Sequence, residues 1–161
     1  LGYRYGWGPS AVGFTLAGVG VCAMIVQGTL VRPITARLGE RRTLLLGLLA
    51  GATGFSIYGL APTPLLYCFG IPVMAFWGLA APSAQVFMTR RVGPSEQGQL
   101  QGAIASLTGI AGLLGPTLFT QTFAAFIGPQ ADWHRPGAPY LLSALLLVVA
   151  AGTAWRATRP T

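Results

Sequence analysis

Charge is what this chain has least of. Of its 161 residues only 8% are charged, while 53% are hydrophobic. A soluble domain carries about a quarter of its residues as charges, so a set this sparse excludes an ordinary water-facing surface. Lysine is absent, and the acids number three: Glu40, Glu96 and Asp132. The basic residues are ten arginines, which give a formal net charge of +7. A basic balance can signal nucleic-acid binding. It does not here, because the arginines stand singly or in pairs between apolar runs, with no basic face interleaved with aromatics. Cysteine is scarce too. Cys22 and Cys68 lie in different apolar runs and make neither a CxxC nor a metal-ligand spacing. No metal or cofactor is expected. No acid falls inside an apolar run, and no His cluster or nucleophile–base set is visible, so an enzyme is not expected either. The chain opens at Leu1 without the parts of a signal peptide, and a start inside a loop suggests a piece of a longer protein.

Long apolar runs are what the chain does have. Five of them, 10–31, 43–61, 65–88, 103–127 and 138–155, reach the length of roughly 17–25 residues that a membrane-crossing helix needs. The fold class expected is all-α integral membrane, a partial bundle of five transmembrane helices. Between the first two runs, Arg37, Gly39, Glu40, Arg41 and Arg42 crowd into one short turn. Gly39 permits the reversal, since without a Cβ it reaches backbone angles closed to other residues. A surface loop of a soluble protein is the alternative for this cluster; the length of the flanking runs argues against it. Eight arginines (Arg32, Arg37, Arg41, Arg42, Arg90, Arg91, Arg156, Arg159) fall on one side of the five spans, and Arg4 and Arg135 on the other. The positive-inside rule puts the larger set in the cytoplasm. The expected location is the inner (plasma) membrane, multi-pass, with a cytoplasmic C-terminus.

Local signals refine this layout. Tyr3, Tyr5 and Trp7 suit a membrane–water interface, and Ser10 is expected to cap the first helix. Arg32 and Pro33 are expected to end that helix. Gly47 and Gly51 form a small-xxx-small pair, which lets helices approach closely in lipid. Pro62-Thr63-Pro64 is a turn, and Pro72 and Pro82 should kink the third span. Ser95 is expected to cap the fourth helix, with Glu96 beside the positive helix end. An outer loop over 128–137 carries Asp132, Trp133, His134 and Arg135, and the aliphatic last span is expected to face lipid.

The turn Arg37-Leu-Gly-Glu-Arg-Arg42 resembles the signature loop of the major facilitator superfamily, G-x-L-x-D-R-x-G-R-R. Ala36 stands in place of its Asp and Arg32 in place of its leading Gly. Two further stretches, Gln97-Gly-Gln-Leu-Gln-Gly-Ala-Ile-Ala-Ser-Leu-Thr108 and Gly115-Pro-Thr-Leu-Phe119, resemble the tetracycline-resistance (drug/proton antiporter) branch. The resemblance covers nearly the whole chain and implies helices eight to twelve of a twelve-helix transporter. It also implies secondary active efflux of a hydrophobic, drug-like small molecule by alternating access, proton-coupled in the intact protein. The implied partners are the lipid bilayer, the missing N-terminal half and the small-molecule substrate. Where such exporters carry an Asp and a His in membrane spans, this chain has Gly51 and Ala23. Any titrating group would then lie in the missing half.

The resemblance further implies that the first, third and fourth spans line a central cavity. On those spans Gln27, Gln85 and Gln121 can hydrogen-bond a polar solute without the cost of a buried charge, and Phe76 and Trp77 can stack on an aromatic one. The same residues can instead bond or pack neighbouring helices. Arg37, Gly39, Glu40, Arg41 and Arg42 are the expected gating-loop motif, a latch that differs between transport states; topology alone is the alternative. A non-transporting truncated remnant, or a membrane partner protein, remains the second function.

Overall fold

The computed structural model describes residues 5–127 and 137–159. All regular structure among them is helical. Helix α1, Pro9–Ile25, passes through a π-helical turn, Val26–Leu30, into α2, Val31–Leu60. Helix α3, Pro64–Ala75, continues through a 3-10 turn, Phe76–Leu79, into α4, Ala80–Thr89. A short 3-10 turn, Pro94–Glu96, leads into α5, Gln97–Ile127, and α6 is Ala138–Ala157. The outer loop with Asp132, Trp133, His134 and Arg135 lies outside the described residues, as do Tyr3 and Arg4.

Prolines set most of the helix starts. Pro9 and Pro94 occupy first-turn positions, where a fixed φ and a missing N–H cost nothing. The cap therefore falls one residue earlier, on Gly8 and Gly93, both in extended backbone. This displaces the expected caps. Ser10 makes no capping bond, and the cap at Gly93 is closed by Glu96, whose carboxylate accepts from the Gly93 N–H at 3.0 Å. Pro64 likewise opens α3, and there the Thr63 hydroxyl accepts the Leu66 N–H.

Arg32 and Pro33 do not end the first helix, contrary to expectation. The helix runs on to Gly39, where φ is 76° and ψ is 162°. Side chains are effectively barred from that region. Pro33 is tolerated because the carbonyl it cannot bond, that of Thr29, lies within the π turn, where the ladder has already widened. Four helical stretches among the described residues are long and apolar enough to cross a membrane: Pro9–Leu60, Pro64–Thr89, Pro94–Phe126 and Ala138–Ala157. The first has 52 residues. At about 1.5 Å per residue it is more than twice as long as a hydrocarbon core of about 30 Å, and the Gly39 break divides it.

Beyond Gly39, α2 is the hub of the packing. It meets α6, α3, the 3-10 turn and α4; α1 packs on α3, and α5 leans on α6. Helix α6 therefore does not face lipid all round. Ala138, Ala144 and Ala151 are buried, while Leu145, Leu146, Val148 and Val149 remain exposed. The buried alanines of α6, and the glycines of α2 that receive Leu141 and Leu147, let the two helices seat closely. Helix α5 is the least covered, with Leu107, Ile110, Leu113, Leu114 and Leu118 all exposed.

The two ends of α2 differ in chemistry. At the Ala61 end, Tyr58 stacks on Tyr67 at 4.3 Å between ring centroids, and Tyr5, Trp7 and Tyr140 surround the pair. The Tyr5 hydroxyl donates to the Ala61 carbonyl at 2.7 Å. At the Gly39 end lie the arginines. The helix between them spans about 30 Å at 1.5 Å per residue, which matches the hydrocarbon thickness.

Candidate functional site

Close approach of helices builds the middle of the bundle. A Cβ at Gly47 would meet the Ala80 backbone nitrogen at 2.7 Å, and one at Gly51 would meet Trp77 Cδ1 at 2.8 Å and Leu147 Cδ1 at 2.9 Å. The expected small-xxx-small pair is thus a contact surface. It extends along α2 to Gly54 against Met74 and Gly59 against Leu141. In lipid, helices gain little from hydrophobic burial, so van der Waals fit of this kind carries the association. Gly51 is also the position where the resemblance would put an Asp. A carboxylate has no room there, because Trp77 and Leu147 fill the space.

The two interrupted helices cross where their irregular turns meet. The π turn of 26–30 lies against the 3-10 turn of 76–79. Val26, Ala75 and Leu79 form a buried cluster at this crossing, with Phe76 packed beside it. Pro72 and Pro82 flank the 3-10 turn and each withhold a ladder N–H. The expected kink is therefore a local change of helix type between the two prolines. Gln27 sits on the π turn with its side chain over Gly78; a Cβ there would meet Gln27 Cγ and Nε2 at 3.3 Å.

The five expected cavity residues are not gathered into one place. Gln27 and Phe76 share the crossing. Trp77 turns to α2, where its ring lies 5.7 Å from that of Phe55. Gln85 is half-buried on α4 and Gln121 is exposed on α5. Gln27 is likewise exposed as a residue, while its amide nitrogen lies over Gly78. The π turn in the first span has no local sequence signal, and Pro33 by itself points to a helix end.

The loop motif is tied to the ends of two other helices, α4 and α6. Glu40 accepts from Arg90 at 2.7 Å. Arg41 donates through Nε to Thr158 Oγ1 at 3.1 Å and through its guanidinium to the Trp155 carbonyl at 3.4 Å. Arg91 donates to the Ala157 carbonyl at 3.2 Å, and the Arg159 guanidinium lies 3.9 Å over the Trp155 ring. Gly39 supplies the break, and Arg37 and Arg42 are exposed beside it. Sequence alone named the motif but not its partners Arg90, Trp155 and Thr158, which are distant in the chain.

Comparison with known proteins agrees with this architecture. The family profile described as Major Facilitator Superfamily matches residues 1–161. The chain is similar to the class G tetracycline resistance protein of Vibrio anguillarum, 35% identical over 81% of this chain and 33% of that protein. It is similar to the class B tetracycline resistance protein of Escherichia coli, 34% identical over 72% of this chain and 29% of that protein. Hippocampus abundant transcript-like protein 1 of Rattus norvegicus is 26% identical over 89% of this chain and 31% of that protein. The chain thus spans about a third of the length of these relatives. No solved structure matches it.

Proposed function

Because the chain belongs to the major facilitator superfamily, a family of transporters and not of enzymes, we propose that it is the C-terminal part of a secondary transporter that exports a hydrophobic, drug-like small molecule. The five apolar runs are then five crossings, corresponding to helices eight to twelve of a twelve-helix bundle. The protein is a multi-pass component of the inner (plasma) membrane, with the arginine-rich end and the C-terminus in the cytoplasm. The observation that carries this reading is the crossing of the π and 3-10 turns. It holds Gln27 over Gly78 on a face that the described residues leave exposed. Irregular turns inside long helices are frequent at functional sites.

In this reading substrate binds near the midplane, between this part and the missing N-terminal half, and alternating access comes from rocking of the two. Gln27, Phe76, Gln85 and Gln121 are offered as cavity residues, with Trp77 acting behind them through its packing on α2. The ion pair of Glu40 with Arg90, and the bonds of Arg41 to the end of α6, support the loop as a gate that changes partners between states. A buried acid would cost roughly 2.5–3.5 kcal/mol on insertion scales, and Gly51 holds none, so proton coupling is assigned to carboxylates in the missing half. The tetracycline-resistance relatives favour a polycyclic, hydrogen-bonding substrate class.

The test is resistance profiling of the full-length gene in a pump-deleted host, with uptake into inverted vesicles for any compound that responds. Resistance that disappears with Gln27→Leu at unchanged protein level supports the reading. No change in resistance to any of a broad panel, with normal membrane insertion, favours a non-transporting remnant or membrane partner.

A further inference from the structure

At the arginine end a cavity of about 340 Å³ opens between the start of α2 and α4. Its size is at the lower end for ligand pockets, which run about 300–1,000 Å³. Two hydroxyl residues line it, Thr35 from α2 and Ser83 from α4. Both hydroxyl oxygens are buried and have no hydrogen-bond partner among the described residues, and Ser83 is only 2% exposed.

These two differ from most hydroxyls in the helices, and unlike the unbonded Thr117 and Thr120, which are exposed, their oxygens are buried. Thr29, Thr43, Ser56, Thr89 and Ser143 all donate to the carbonyl four residues back in their own helix. That bond removes the cost of a hydroxyl in lipid. Thr35 and Ser83 forgo it, and they do so on the walls of one cavity. A change of χ1 rotamer is what would turn either oxygen into it.

Charge at the rim narrows the ligand. Glu40 lines the cavity, but its carboxylate is engaged by Arg90 at 2.7 Å. Arg32 lines it as well and has no ion-pair partner among the described residues. The rim therefore offers a free guanidinium, which suits an anion with several acceptor oxygens. The remaining walls are apolar, with Val31 from α2 and Pro82 and Val86 from α4, and Val86 is 39% exposed. Inorganic phosphate would satisfy Arg32 and the hydroxyls but leave these walls without a partner. A phosphodiester joined to ester-linked chains satisfies all three features.

We infer that this cavity binds the headgroup of an anionic phospholipid, with the phosphodiester at Arg32, an ester oxygen accepting from Thr35 or Ser83, and the first chain carbons against Val31, Pro82 and Val86. This rests on the membrane placement of the chain and not on what the protein transports.

Native mass spectrometry of the full-length, delipidated protein tests it, with phosphatidylglycerol, phosphatidylcholine or inorganic phosphate added. Phosphatidylglycerol should be retained, with affinity falling by about fivefold to tenfold in Arg32→Ala, as expected for one arginine beside an anionic headgroup. The Thr35→Val and Ser83→Ala pair should weaken it further, and Arg32→Lys should recover most of the loss. Arg156→Ala, at the same end but outside the cavity, should leave binding unchanged. The inference is overturned if Arg156→Ala weakens binding as much as Arg32→Ala, because attraction is then general. It is overturned equally if phosphatidylcholine binds as tightly, if inorganic phosphate displaces the lipid at matching concentration, or if the wild-type protein retains no phosphatidylglycerol.

Discussion

Replacing Gly47 with alanine should loosen the bundle, although alanine is the better helix former. The added Cβ would lie 2.7 Å from the Ala80 backbone nitrogen, where ordinary contact begins at 3.4 Å. Backbone cannot rotate away, so α2 and α4 must part by several tenths of an ångström. A gap of 0.5–1 Å forfeits a quarter to a half of each contact, and each contact is worth about 0.1–0.2 kcal/mol. Over a few tens of contacts along this seam the loss is about 1–3 kcal/mol, the usual range for overpacking. The helix-propensity gain of about 1 kcal/mol offsets part of it. Gly152 on α6 supplies the control, because a Cβ there meets nothing within 4 Å. The predicted difference between Gly47→Ala and Gly152→Ala is therefore about 1–3 kcal/mol in favour of the latter. Unfolding of the full-length protein in mixed micelles measures it. Equal stability of the two variants would refute the claim that α2 and α4 are held by close approach at Gly47.

Three further outcomes follow from the same geometry. Gly51→Asp should be worse than Gly51→Ala by about 2.5–3.5 kcal/mol, the insertion cost of the acid, and should not create proton coupling; stable insertion of the Asp variant with new pH-dependent transport would contradict the packing at Trp77 and Leu147. Gly39→Ala should destabilise by about 1–3 kcal/mol, because its φ and ψ are closed to side chains, and fluorescence-detected size exclusion after heating reads the loss. Exchanging Glu40 and Arg90 should restore most of whatever either single change removes. The coupling in that double-mutant cycle should be about 0.2–1 kcal/mol, since the Arg90 side chain is 67% exposed.

How much of this was legible in the sequence depends on how local the signal is. The break at Gly39, the Pro62-Thr63-Pro64 turn and the Gly47–Gly51 contact were all readable, because each rests on the chemistry of one or two neighbouring residues. The caps were misread at Ser10 and Ser95, where Pro9 and Pro94 already fixed the first turn and moved the cap onto glycine. The course of the helix through Pro33 was missed, since a proline signals a helix end unless the ladder before it is widened. The partners of the loop motif, Arg90, Trp155 and Thr158, could not be read, because they meet it only through the packing of α4 and α6 around α2. Thr35 and Ser83 gave no signal at all: serine and threonine in apolar spans look alike whether or not they bond their own helix.

The account depends on the Arg32–Arg42 stretch lying at the cytoplasmic face with the aromatic cluster at the opposite one. Single cysteines at Leu38 and Trp7, in a background with Cys22 and Cys68 replaced by alanine, test this with a membrane-impermeant thiol reagent. Position 38 should label only in inside-out vesicles and position 7 only in right-side-out ones. Labelling of position 38 from outside the intact cell would contradict it.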